Sequence, residues 1–257
     1  MKIIMYKRHS LLTQIALCFI LMMSSHTHAR EYAIEMIFFM HIDGEQITDE
    51  NFPENLKLVS PNQGIEINND YPHSKVESST ANEDEQQWRA IPSGDFILND
   101  VVKKLNHSRD YKVLKHIAWQ QPMVDDKNAQ LIKIQGGRDL SADYPERLPA
   151  FPQASDPILA IVGNQNIDPS APSLYELEGT VKVVITRYIH VYADLILHIE
   201  GFNTQQINQE IVVHNYLEDY KIDLYRKMKS RELHYIDHPL IGIIVEATPI
   251  ETPAGES

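Results

Sequence analysis

Period-two alternation of apolar and polar residues is the strongest regular pattern in this chain, and it is sustained longest over Gly179–Ile199. There Val183, Ile185, Ile189, Val191, Ala193, Leu195, Leu197 and Ile199 alternate with Lys182, Thr186, Tyr188, His190, Tyr192, Asp194 and His198. The pattern predicts one long strand with a buried and a wet face. Arg187 falls on the apolar side, so its charge must be paired or lie near a sheet edge. A further strand is predicted over Leu217–Met228, with Tyr220, Ile222, Leu224 and Met228 on one face. The apolar run Leu240–Ala247 after Pro239 predicts the last strand, and Thr248–Pro253 reads as an unstructured end.

Nearer the start, the short apolar run Tyr32–Phe39 predicts an opening strand. Tyr111–Trp119 predicts another, with Tyr111, Val113, Ile117 and Trp119 sharing a side, Lys115 breaking the alternation and Pro122 ending it. Leu131–Ile134 is expected to pair back. A helix is predicted from Phe96 to about Asn106, since Ile97, Leu98, Val101, Val102 and Leu105 cluster on one face and Ser93 or Asp95 could cap it. Residues 41–93 and 136–176 have loop composition. The first carries Asn62, Gln63, Gly64 and the acidic run Glu83-Asp84-Glu85; the second has a Gly136-Gly137 turn signal and prolines from Pro145 to Pro172. The expected class is α+β, mainly antiparallel sheet with one or two helices and long irregular loops, in a single domain over residues 30–257.

The first thirty residues change this picture only by setting them apart. Lys2, Lys7 and Arg8 precede an apolar stretch, Leu11–Met23, interrupted only by Thr13 and Gln14, and Thr27-His28-Ala29 follows. Thirteen residues suit the apolar segment of a secretory signal peptide and fall short of a bilayer span. Cleavage is expected after Ala29. Cys18 lacks the small preceding residue a lipoprotein signal needs, because Leu17 stands there, so soluble export to a periplasm is expected with no transmembrane anchor after cleavage. Removing the leader takes three basic side chains and the only cysteine, and moves the net charge from −13 to −16. So acidic a chain lacks the basic stripe that nucleic acid requires. One cysteine excludes a disulfide framework and a multi-Cys zinc site.

The richest stretch is Arg226-Lys227-Met228-Lys229-Ser230-Arg231-Glu232-Leu233-His234-Tyr235-Ile236-Asp237-His238-Pro239-Leu240. Its first half places four cations within six residues, which reads either as a solvated strand end or as a local anion cradle. His234 and His238 with Asp237 approach the H-x-x-E-H zinc pattern, and His190 or His198 would have to add a ligand. That pattern needs a helix and a Glu, whereas Asp237 and Pro239 oppose both, so a structural or ligand-orienting role is read here and no metal is assigned. On the wet face, Tyr188, His190, Tyr192 and His198 have polar-tipped rings that suit sugar faces. No nucleophile elbow, P-loop or dinucleotide fingerprint is present.

The same C-terminal stretch, followed by a Gly-containing apolar strand and Thr-Pro, resembles the signature of the CsiV family, periplasmic peptidoglycan-binding proteins of gammaproteobacteria. Tyr111-Lys112-Val113-Leu114 with His116, Ala118, Trp119 and Gln121-Pro122 is similar to its central block. Glu178-Gly179 leading to Arg187-Tyr188-Ile189-His190 and Asp194-Leu195 is similar to its third. The opening strand ends Phe38-Phe39-Met40-His41, where family members often carry an Arg. The resemblance implies a non-enzymatic binder of peptidoglycan that assists a class A penicillin-binding protein or its activator, without cofactor or catalytic residues. Such a binder needs cations for stem-peptide carboxylates, which Arg226, Lys227, Lys229, Arg231 and Arg187 can supply. Tyr188, His190, Trp119 and Tyr235 are the candidate surfaces, and His234, Asp237 and His238 shape the turn between the last strands. The alternatives are an envelope adaptor that binds a protein, and a zinc-dependent hydrolase built on His234 and His238.

Overall fold

The structure, a computed structural model, describes residues 30–42, 64–70, 88–148, 173–207 and 210–251. The leader with its expected cleavage point and Cys18, and most of the 41–93 and 136–176 stretches, lie outside the described residues.

From Glu31 onward the chain forms one compact unit. Its strands are β1 Glu31–His41, β2 Arg89–Ala90, β3 Tyr111–Pro122, β4 Leu131–Asp139, β5 Tyr175–Ile185, β6 Ile189–Ile207, β7 Glu210–Met228, β8 His234–Asp237 and β9 Ile241–Pro249, with helix α1 at Asn99–His107. They make a five-stranded sheet, β2-β3-β1-β9-β8, and a four-stranded sheet, β4-β5-β6-β7. All named strand pairs are antiparallel, as expected of the α+β class. Among the described residues no helix is long and apolar enough to cross a membrane.

The two sheets pack face to face. Ile34, Met36 and Phe38 of β1, Trp119 of β3 and Val245 of β9 meet Ile134, Val181, Leu195 and Ile222 from the second sheet in one buried core. The opposite face of β1 is buried too, because Ile37 and Phe39 lie under Leu98, Val101, Val102 and Leu105 at the helix. A central strand covered on both sides needs no polar face, which is why Tyr32–Phe39 is apolar at every position but Glu35.

Three expectations fail for identifiable reasons. Gly179–Ile199 is a hairpin, not one strand: β5 ends at Ile185, turns through Thr186-Arg187-Tyr188 and returns as β6. Directly opposed residues share a face, and Ile185 opposes Ile189. A turn of this length keeps parity, so the alternation runs through it unbroken. Arg187 is exposed in the turn, which resolves its place among apolar positions. In β3, partners step from Lys115 to Val113 as β1 passes from Phe38 to Phe39, so Leu114 is an extra residue. This bulge sends Tyr111 and Val113 to the helix side, while Leu114, Ile117 and Trp119 face the core. Finally, α1 starts at Asn99 with no side-chain cap; Ser93–Asp95 is a separate 3-10 turn, and Ile97 is exposed. The free N–H groups of Ile97 and Leu98 instead donate to the buried Glu35 carboxylate, each at 2.8 Å, and His116 Nε2 lies 2.7 Å from the same group.

The C-terminal strand runs longer than expected, through Thr248 and Pro249. Pro249 pairs only with Tyr32, beyond the reach of β8, so its missing N–H costs no ladder bond there. Gly242 sits beneath the Phe39 and Tyr235 rings, where a Cβ would collide with both. Gly136-Gly137, expected as a turn, lies inside β4.

Candidate functional site

The outer face of the second sheet carries an exposed aromatic platform. Tyr192 of β6 opposes Tyr225 of β7, and His190 opposes Lys227. The two tyrosine rings sit with centroids 5.0 Å apart, and the His190 and Tyr225 rings stack at 5.9 Å. Tyr225 Oη and His190 Nδ1 are 2.8 Å apart, which fixes both rings. Tyr192 and Tyr225 are 38% and 53% exposed, so neither ring is there to fill a core. Cations rim the patch. Lys227 Nζ lies 3.9 Å from the centroid of Tyr188, the Arg187 guanidinium carbon 5.7 Å from it, and Lys182 Nζ 5.0 Å from that of Tyr192. Asp223, opposite Asp194, continues the same face and offers a carboxylate to hydroxyl donors, while Lys221 pairs with Asp194.

Of the residues singled out in the sequence, this patch unites Arg187, Tyr188, His190, Tyr192 and Lys227. Alternation divides the basic run: Arg226 opposes Val191 and projects from the other side of β7, away from Lys227. Lys229 and Arg231 follow the strand end. Arg231 has φ 63°, donates its backbone N–H to Ala247 O at 2.9 Å and pairs with Glu251 at 2.9 Å. The four cations therefore do not form a common cradle. Tyr225, Lys182 and Asp223 complete the platform. Their signal in the sequence was the wet parity of two predicted strands, but which rings oppose each other depends on register.

The His234–His238 segment lies on the first sheet. Tyr235 stacks on Phe39 with centroids 6.1 Å apart, and its hydroxyl donates to Asp237 Oδ1 at 2.6 Å. Burial and the Asp237 carboxylate raise the Tyr235 pKa above the ordinary tyrosine value. His238 closes the β8–β9 turn, its N–H reaching Ile241 O at 3.1 Å and its Nδ1 accepting from Leu240 N at 3.2 Å. His234 stands beside Glu232, with 3.4 Å between Nε2 and the carboxylate. Among the described residues no group of three His, Cys, Asp or Glu is placed to hold a metal ion. Trp119 is fully buried and donates Nε1–H to Gln121 at 2.9 Å. It is a core residue and cannot offer a stacking surface.

His198, expected on the wet face, is buried as well. Leu140, Tyr144 and Leu148, flanking a 3-10 turn at Pro145–Arg147, pack with Leu174 and Leu217 over this end of the face. His198 Nδ1 is 2.7 Å from Asp219, whose other oxygen takes Arg147, and Glu178 lies 3.8 Å from Nε2, an ion-pair rather than a hydrogen-bond distance. Burial opposes the charged imidazole, but the two carboxylates outweigh it and hold the His198 pKa above its ordinary value. Its stabilisation is thus fully present below the unfolded value of about 6.5 and fades as pH rises through the higher folded value. Thermal melts from pH 5 to 9 are expected to show the advantage of the native chain over His198→Gln shrinking towards alkaline pH. A constant difference would contradict this assignment.

Residues 10–250 match the family described as "Peptidoglycan-binding protein, CsiV". No curated protein and no solved structure matches the chain. With nearly the whole sequence covered, the chain belongs to the CsiV family of peptidoglycan-binding proteins.

Proposed function

We propose that this protein acts in the periplasm, binds the glycan strands of peptidoglycan on the Tyr192–Tyr225 platform, and thereby supports wall synthesis by a class A penicillin-binding protein. The observation that carries the binding site is the exposed Tyr192–Tyr225 ring pair, with Tyr225 hydrogen-bonded to His190, rimmed by Lys227, Arg187 and Lys182. Flat sugar faces bury C–H surface on such rings, and the rim cations meet stem-peptide carboxylates. An acidic surface elsewhere disfavours indiscriminate adhesion to an anionic wall, which confines contact to this patch. The role is that of a binder, and no catalytic residue is assigned.

One observation favours an adaptor reading in addition. The β5–β6 register ends at Leu177–Leu197, whereas β6 and β7 stay paired to Ile207–Glu210, a two-stranded ribbon with Phe202 71%, Val213 56% and Tyr216 36% exposed. Such a ribbon suits contact with another protein.

Co-sedimentation of residues 30–257 with isolated sacculi over a salt series tests the first reading. Pelleting is expected to weaken as salt screens the rim, and Lys227→Glu is expected to lower affinity by about 3- to 10-fold at low salt. Absence of pelleting at every salt concentration would put the adaptor reading first.

A further inference from the structure

A cavity of about 280 Å³ opens on the β3–β4 side of the molecule, away from the platform rings. Two interruptions of the strand ladders make it. On β3 the extra residue Leu114 bulges next to Lys115, the partner of Phe38, and on β4 the register with β5 breaks between Gly136 and Asp139. Gly137 takes φ 78° at that break, a conformation side chains resist. Bulges re-aim neighbouring side chains, and here they leave Lys115 and Lys133 on one cavity wall, with Ile67 and Glu66 from the 64–70 segment and Tyr175 completing it. That segment is pinned by Ile65 N–H to Leu131 O at 2.7 Å, and by Asn69 Nδ2 to Ala118 O at 2.6 Å. The cavity is therefore built from ordered backbone on both sides.

Its charge is unusual for this protein. Its lining carries two lysines and one glutamate, with Asp70 also near enough to act on Lys115, in a chain of net charge −13. Neither lysine has a hydrogen bond or ion pair with a carboxylate among the described residues. Burial lowers the Lys115 pKa, and the more distant Glu66 and Asp70 offset this only in part. A desolvated ammonium without a direct partner is costly, and an incoming anion would relieve it.

We propose that this cavity is a second subsite, which takes one free carboxylate of a peptide stem between Lys115 and Lys133. The inference rests on the wall-binding reading and adds the peptide half to the glycan half. Lys133 opposes Thr180, which opposes Asp194, so Lys133 stands on the platform's sheet two strands across from Tyr192 and two residues, roughly 7 Å, along it. Two inter-strand steps are roughly 10 Å. A stem peptide branching from a sugar on Tyr192 can span that distance within a few residues.

The test is calorimetric titration of residues 30–257 with the tetrapeptide L-Ala-γ-D-Glu-meso-diaminopimelate-D-Ala, in its free-acid form and with every carboxyl amidated. The free acid is expected to bind at least tenfold more tightly than the amide. Lys115→Gln and Lys133→Gln should each weaken it by about tenfold. Lys115→Gln removes a poorly solvated charge and is expected to fold; if it does not, Lys133→Gln, on the cavity's other strand, decides. Equal affinity for acid and amide, no binding of the acid, or indifference to both lysine substitutions would each overturn the subsite. Should that happen while sacculi still pellet, the wall-binding reading stands; loss of pelleting at every salt overturns that reading itself.

Discussion

Replacing Trp119 with alanine is expected to destabilise the protein by about 4–8 kcal/mol while changing wall affinity only through the folded fraction. The side chain is fully buried between the sheets. Truncating a core tryptophan costs roughly 3–5 kcal/mol in transfer and cavity terms. It also removes the donor to Gln121, itself 1% exposed, whose amide donates to Val183 O at 2.9 Å and so ties β3 to β5 across the core. Leaving Gln121 Oε1 unpaired adds about 1–3 kcal/mol. The sum approaches the whole stability of many domains, roughly 5–15 kcal/mol. A melting temperature lower by about 10–20 °C is expected from circular dichroism. Trp119→Phe keeps most of the volume and should lose less than half as much. The opposite pattern, unchanged melting with weakened sacculus binding, would return Trp119 to the ligand surface suggested by its motif.

That contrast shows what was legible in the sequence. Apolar periodicity gave the strands, their core faces and the α+β class, because burial imposes period two locally. Tyr220, Ile222 and Met228 point into the core as read. What failed depended on contacts between distant segments. The hairpin at Thr186–Tyr188 left no gap in the alternation, and its one trace was a charged residue, Arg187, at an apolar position. The bulge at Leu114 left a similar trace in Lys115, which broke a pattern without saying why. Glu35 caps the entry to α1 from a strand some sixty residues earlier, which no local cap rule can find. The site divides in the same way. Tyr188, His190 and Lys227 were legible as polar-tipped rings and cations, but the Tyr192–Tyr225 pairing is set by β6–β7 register. Conversely, adjacency in the chain misled for Arg226 and Lys227, because neighbouring strand residues face opposite sides.

Removing both platform rings, Tyr192→Ala with Tyr225→Ala, is expected to abolish measurable pelleting with sacculi while the fold persists. A sugar face covering one ring buries roughly 50 Å² of apolar surface, worth about 1–2 kcal/mol per ring once stacking is included. Losing both costs about 2–4 kcal/mol, or roughly 30- to 700-fold in affinity. Both side chains are more than a third exposed, and the cross-strand pair they form contributes only about 0.2–1 kcal/mol to stability. The melting temperature should therefore fall by no more than a few degrees. Tyr225→Phe separates stacking from hydrogen bonding, since it deletes the contact with His190 Nδ1 and keeps the ring. Near-native pelleting by Tyr225→Phe, together with loss in the double alanine variant, would place the binding energy in the ring faces. Full retention by the double variant would exclude this platform as the wall-binding surface, because no other change to a folded, otherwise intact sheet could compensate for two missing aromatic faces.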